Sequence, residues 1–246
     1  MSDSFYISTA GAAARLKQLD IVANNLANMA TSGFKSDRVV FDAALEGAIR
    51  SLDGTPAPGA TGHVFGSAGA SHFDPSRGSA VQTGRGLDAA IDGLGYFVVE
   101  TPDGVRYTRA GSFNVSPVGE LVTPSGDPVL GEGGPITVGS EAARIQADGS
   151  VVGDSGAEFG KLQVVEFSDP AQLEKVGDAQ FRAPADVVDL PVESPLLLPG
   201  AIEGSNVDPT RELATLMILQ RSYEAAMQVM RSEDESVSRL LQEFSQ

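Results

Sequence analysis

The side chains of this protein best equipped for chemistry are too scattered to cooperate. Its two histidines, His63 and His72, lie in a Gly-, Ser- and Ala-rich stretch without the HxxxH or HExxH spacing that brings two imidazoles onto one metal ion. They read as solvated side chains. The segment "GRGLDA", Gly84 to Ala89, has the letters of a GxGxxA dinucleotide fingerprint. That fingerprint must open a helix so that the pyrophosphate meets its N-terminus, whereas here "IDGLGYFVV" follows at once as turn and strand. Asp88 and Asp92 are the nearest approach to a carboxylate pair. "LDAAIDG" reads more simply as a strand in which Leu87, Ala89 and Ile91 alternate against an exposed face of Asp88, Ala90 and Asp92, with nothing to push the two pKa values apart. No serine occupies a GxSxG elbow, and "NVS" at Asn114 is a glycosylation sequon by letters only. The chain has no cysteine, which removes disulfides, thiolate zinc ligands and a cysteine nucleophile together. The expectation is a protein that is not an enzyme, with no catalytic, cofactor-binding or metal-binding residues to nominate.

Composition narrows the partners. A chain of 246 residues with 41% hydrophobic side chains is long enough to bury a substantial core. Acidic residues outnumber basic ones by 33 to 17, a formal charge of −16, so attraction to nucleic acid phosphates or anionic lipid is disfavoured. No apolar run reaches the ~18 residues of a membrane span. The start "MSDSFYISTAGAAARLKQLD" has neither a basic n-region nor a compact apolar core and reads as no cleavable secretory signal. Nucleic acid binding and membrane insertion are both counted out.

What must position any function here is a pair of helices. Phe5, Ala12, Leu16, Leu19, Ala23, Leu26 and Ala30 recur at three-and-four spacing, predicting one helix of roughly seven turns at about 3.6 residues each. Its small-residue half, "STAGAAAR", suits close approach to another helix. Gly33 is the expected left-handed cap, with Phe34 folding back onto the last turn. At the far end, Asn206 or Asp208 can cap a helix that begins near Pro209 and Glu212. Leu213, Leu216, Tyr223, Met227, Met230, Val237, Leu241 and Phe244 then fall on heptad a and d positions, interrupted by Gln220 and Asp234. Such a helix of about 36 residues would run roughly 54 Å. A narrow stripe sustained that far is a coiled-coil seam and requires a partner, for which the N-terminal stripe is the obvious candidate.

Asn24 and Asn25 sit a turn or more before the end of the first helix, where they weaken it without capping anything, and Asn28 lies closer to that end. A polar amide in or beside a packing seam can fix register and partner at some cost in stability. Between the helices, residues 51 to 80 are rich in Gly, Ser, Ala and Pro and read as extended or irregular. From Val81 short β-prone runs such as "YFVVE", "VRYTRAGSFNV", "PITV" and "KLQVVEF" alternate with turn signals such as "TPDG" and "PSGD". The expected fold is α+β: an antiparallel β domain inserted between N- and C-terminal helices that pair as a coiled coil. Its segments are residues 1–35 (helix), 36–80 (extended linker), 81–183 (β domain), 184–204 (return linker) and 205–246 (helix).

Three stretches carry a family resemblance. "LDIVANNLANMATSGFKSDRVVF" (19–41) resembles the N-terminal signature of the flagellar axial proteins, the rod and hook subunits. "GAIEGSNVDPTRELATLMILQRSYEAAMQVM" (200–230) resembles their C-terminal signature, and "TGRGLDAAIDGLGYFVVETPDGVRYTRAGSFNVSPVGELVTPSGDPVLG" (83–131) looks like the core β domain of the rod proteins. The short chain and "LGEGGPITV" look more like the proximal rod subunit, while "LQRSYE" at Leu219 to Glu224 is shared in style with the distal one. The resemblance implies a structural subunit of the flagellar basal-body rod, whose terminal helices pair to line a helical tube spanning the periplasm. It implies export through the flagellar type III apparatus without a cleaved signal, and no cofactor. Partners would be further copies of the chain and other axial (rod) proteins. Leu16, Leu19, Asn24, Asn25, Leu26, Asn28, Gly33 and Phe34 would then shape one side of the assembly interface, and Leu213, Leu216, Gln220, Tyr223, Met227 and Met230 the other, with Asn206 starting the second helix. The competing readings are a scaffold or cap for another axial protein, and a ligand-binding β domain on an unrelated coiled-coil stalk. The latter would keep its affinity after both helices were deleted.

Overall fold

The computed structural model describes residues 2–43, 66–139 and 141–244. The chain is α+β and divides into two compact units: one contains two long helices, and the other, Asn28–Ser36 with Phe73–Val207, is built almost wholly from antiparallel strands.

In the helical unit, α1 spans Ser2–Ala27 and α2 spans Pro209–Phe244. α1 ends at Ala27, not at the expected Ala30. The Asn28 carbonyl accepts the Thr31 amide at 3.2 Å and the Asn28 side-chain oxygen accepts the Thr31 hydroxyl at 3.2 Å, so the asparagine closes a turn in competition with the helix. Gly33 has the positive φ expected of a cap, +69°, but it lies beyond that turn and caps nothing. α2 begins as the Asp-Pro pair dictates. The Asp208 carboxylate accepts the Thr210 and Arg211 amides at 3.0 and 3.2 Å, and Pro209 takes the first helical position, where no amide is needed. Asn206, the other candidate for starting this helix, is occupied elsewhere.

The two helices pack on each other, with Arg15 Nε donating to Ser222 Oγ at 2.6 Å. Ala12 and Val22 of α1 are buried. Leu216, Leu219, Tyr223, Met227 and Met230 of α2 are half-buried at three-and-four spacing, the pattern of a helix covered along one stripe. The same unit contains a two-stranded sheet of Asp37–Ala43 and Gly66–Phe73. Residues 36–80, expected as an extended linker, therefore include paired strands at both ends of the stretch 44–65, which lies outside the described residues along with His63.

The β unit is organised around a six-stranded antiparallel sheet, ordered Glu174–Gly177, Gln180–Arg182, Gly104–Thr108, Tyr96–Thr101, Val164–Phe167, Asp189–Pro191. Both of its faces are covered. Along the strand Tyr96–Thr101, Phe97 and Val99 enter one hydrophobic cluster with Phe113, Leu121 and Val151, while Tyr96 and Val98 enter a second with Tyr107, Phe167 and Phe181. A strand buried on both sides reads as the continuous apolar run "YFVV" rather than as an alternation. Aromatic rings meet edge to face in both layers: Phe97 and Phe113 at 5.2 Å and 84°, Tyr107 and Phe167 at 4.8 Å and 84°, near the geometry their quadrupoles favour.

Two sequence expectations change here. The stretch 184–204, read as a return linker, contains three strands: Asp189–Pro191, Leu197–Pro199 and Ala201–Glu203. Leu197–Pro199 pairs with Ala89–Ile91, a long-range match that the local prolines concealed. Asp88 is not on a solvated acidic face. It is 1% exposed, accepts the Thr83 hydroxyl at 2.6 Å and lies 3.5 Å from the Arg85 guanidinium, whereas Asp92 is exposed and pairs with Arg77 at 3.0 Å.

Replacing Asp208 by Ala is expected to cost about 1 kcal/mol locally. Amide hydrogen exchange at Thr210 and Arg211 should quicken by roughly fivefold while exchange in the β unit is unchanged.

Candidate functional site

The asparagines near the end of α1 have separate jobs. Asn25, 2% exposed, grips the backbone of Asp37: its Nδ2 donates to the Asp37 carbonyl at 3.0 Å and its Oδ1 accepts the Asp37 amide at 2.8 Å. A primary amide opposite a backbone residue reproduces strand-like pairing, so the residue that costs helicity fastens the first strand of the unit. Asn24 is exposed, Asn28 makes the turn already described, Leu19 and Leu26 are half-buried, and Leu16 is exposed. On α2, Leu213 and Gln220 are exposed and lie off the covered stripe.

The remaining predicted residues, Gly33, Phe34 and Asn206, converge inside the β unit, where three passages of chain are tied together: 32–36, 74–80 and 201–206. The Gly33 amide donates to the Glu203 carbonyl at 2.8 Å, and the Gly204 amide donates to the Ser79 carbonyl at 2.8 Å. A Cβ on Gly33 would fall 2.2 Å from the Ala110 amide nitrogen, so the close approach, together with the positive φ, requires glycine. Phe34 is buried, with the Lys175 ammonium 3.6 Å over its ring centroid, a cation–π contact. Asn206 accepts the Ser36 amide at 2.7 Å on Oδ1 and donates from Nδ2 to the Asp74 and Ser76 carbonyls at 3.0 and 3.1 Å. It joins all three passages, which is why it is unavailable as a helix cap.

At the centre of this junction are charges that sequence reading did not nominate. Lys35 is fully buried, Arg109 is 3% exposed and Glu203 is 3% exposed. Lys35 Nζ donates to Glu203 Oε1 at 2.5 Å and to the Ser76 carbonyl at 2.8 Å. Glu203 Oε1 also accepts the Gly78 amide at 2.9 Å, and Oε2 accepts Arg109 Nη1 at 3.2 Å. Arg109 Nη1 reaches the Gly93 carbonyl at 3.1 Å, and its guanidinium lies 5.0 Å over the Tyr96 ring. One carboxylate thus serves two buried cations. Burial holds the Lys35 pKa below its ordinary 10.5 despite the attraction of Glu203, with Arg109 pushing the same way as burial. Burial likewise raises the phenol pKa values of Tyr96 and Tyr107 above 10.0, opposed at Tyr96 by Arg109 and reinforced at Tyr107 by Asp189. The signal available in the sequence was a lone Lys after Phe34 and a lone Glu in "AIEGSN", each flanked by apolar or small residues.

Every oxygen of Glu203 is taken by a structural donor, and among the described residues no group of metal-ligating side chains gathers. No helix of the described residues is long and apolar enough to cross a membrane. The site is a fastening that ties three passages of the β unit to one another.

Comparison with known proteins agrees in all three regions. Residues 5–35 match the family described as "Flagella basal body rod protein", residues 90–153 match "Flagellar hook protein FlgE/F/G D1 domain", and residues 198–243 match "Flagellar basal body rod FlgEFG protein C-terminal". The flagellar basal-body rod protein FlgF of Caulobacter vibrioides is 32% identical over 94% of this chain and 93% of its own length. FlgG of Bacillus subtilis is 33% identical over 98% of each chain, and FlgF of Salmonella typhimurium is 34% identical over 100% of this chain and 99% of its own. The chain belongs to the flagellar basal-body rod protein family, whose members are structural proteins.

Two outcomes are expected from the junction. Asn206→Ala strips hydrogen-bond partners from two passages, 32–36 and 74–80, at once and should destabilise the protein by about 2–3 kcal/mol in urea titration. Between the depressed pKa of Lys35 and its ordinary 10.5, the unfolded chain binds a proton that the folded chain does not, so the lysine adds stability as pH rises through that window. Relative to Lys35→Met, the parent protein should therefore gain stability on approaching pH 10.5, read as the difference between two urea titration series.

Proposed function

We propose that the protein is a FlgF-like subunit of the proximal flagellar rod that polymerises through its terminal helices into a tube. The observation that carries this reading is on α2, where large apolar side chains stand outside the stripe that α1 covers. Leu213 is 47% exposed, Met217 56%, Ile218 67% and Val229 50%. With Leu16 of α1 at 45%, they amount to helix surface left uncovered among the described residues, and burying such apolar surface favours association. α1 and α2 pair as a coiled coil, and Leu16, Leu19, Asn24, Leu26, Leu213, Leu216, Gln220, Tyr223, Met227 and Met230 form the assembly interface between this pair and its neighbours. Asn25, Asn28, Gly33, Phe34 and Asn206 support that interface by setting the course of the chain on either side of the β unit. A head-to-tail contact of this kind is heterologous and propagates as a filament.

On this reading the partners are further copies of the chain and other rod proteins. The subunit leaves the cytoplasm through the flagellar type III apparatus without a cleaved signal and takes its place in the periplasmic rod. A distal-rod role remains the second reading, favoured by relatives named FlgG that match over as much of the chain as those named FlgF.

Deleting the gene in its source organism should leave basal bodies with a rod truncated close to its base. The full chain should restore them, and a chain ending at Glu203 should not. A rod that stops only at its distal part would favour the FlgG-like reading, and normal basal bodies without the protein would overturn both.

A further inference from the structure

We infer that Glu203 is the closing latch of the β unit, the last-arriving counter-charge without which the unit cannot bury Lys35 and Arg109. The inference rests on the junction alone and not on the rod assignment. Lys35 and Arg109 are both almost fully removed from water, and the carboxylate that touches both of them is Glu203. Asp74 acts on Lys35 from farther away, and Arg109 repels it. Glu203 follows Lys35 by 168 residues and Arg109 by 94, so the two cations belong to chain that is made, and can begin to pair, well before their partner. Two buried cations facing each other without a carboxylate are strongly unfavourable, whereas a cation left in water costs nothing. Until residue 203 docks, the favourable state is therefore one with Lys35 and Arg109 solvated and the 32–36 passage undocked.

The rest of the junction arrives with the same segment. Ala201–Glu203 pairs with Ala80–Gln82, the Glu203 carbonyl receives the Gly33 amide, the Glu203 carboxylate receives the Gly78 amide, and Asn206 ties Ser36 to Asp74 and Ser76. Among the described residues Arg109 Nε has no hydrogen-bond partner even with Glu203 in place, so the guanidinium depends heavily on that carboxylate. One short strand near the end of the β unit thus completes backbone pairing and charge balance in a single step. Closure follows the pairing of hairpins whose contacts are closer in sequence: Tyr96–Thr101 with Gly104–Thr108 in the central sheet, and Ser150–Gly153 with Glu158–Lys161 in a separate three-stranded sheet.

The test is stopped-flow folding of the full-length chain, followed by the fluorescence of its tyrosines, for the parent, Glu203→Gln, Lys35→Met and the double variant. A late latch gives Glu203→Gln an unfolding rate about 100-fold faster or more with a refolding rate within about threefold of the parent. Lys35→Met, which leaves Glu203 and Arg109 balanced, should change unfolding far less, and the double variant should unfold at least about tenfold more slowly than Glu203→Gln because one stranded cation has gone. Refolding slowed by the full equilibrium loss would place the carboxylate in the folding nucleus and overturn the proposal. So would a double variant no slower to unfold than Glu203→Gln. If Glu203→Gln does not fold, Glu203→Asp keeps the charge one methylene short and the same division is read on it: faster unfolding with unchanged refolding supports a late latch, and slower refolding overturns it.

Discussion

The architecture depends on one carboxylate serving two buried cations. Removing Lys35, Arg109 and Glu203 from water is costly, and the cost is offset only because each meets charged and backbone partners in good geometry. That requirement leaves little freedom in the course of the chain. Residue 35 must stand beside residue 203, and residue 203 beside residues 76 to 78, so the passages that lead towards the two helices are held side by side. A purely apolar plug could supply comparable burial without dictating which three passages meet. The charges and the many-handed Asn206 amide supply that selectivity, in the way that buried polar groups fix register elsewhere.

The two units satisfy their apolar surface differently. The β unit is complete in itself: its central sheet is covered on both faces, and its largest buried side chains, among them Phe97, Phe113 and Phe181, are sealed from water. In the helical unit α1 covers one stripe on α2, and among the described residues Met217 and Ile218 stand exposed. On the function proposed for this chain, neighbouring subunits of the rod cover that helix surface.

Much of this was legible in the sequence wherever the determinants are local. The two helices follow from three-and-four apolar spacing, the start of α2 from Asp208 and Pro209, and the hairpin strands from β-prone runs between turn signals. Legibility failed where partners are distant. "PLLLPG" reads as linker because its strand character comes from pairing with Ala89–Ile91, about a hundred residues away in the chain. Asp88 reads as solvated because its local partners Thr83 and Arg85 do not reveal that its backbone pairs with Ser112 and Gly200, far along the chain. Gly33 was correctly singled out as needing positive φ, but its reason is the Ala110 backbone pressed against it and not the end of a helix.

The sequence by itself determined that this is an acidic, cysteine-free α+β chain with a strand-rich middle between two long helices, and its three signatures determined the family. Periodicity, turn chemistry and capping act within a few residues, so one chain's letters suffice to show them. Only the tertiary structure decided that Lys35, Arg109 and Glu203 share one buried site, that Asn25 grips Asp37, and that Asn206 is a fastener instead of a cap. Those roles are set by which side chains lose water together, and desolvation is a property of the folded neighbourhood that no local spacing encodes.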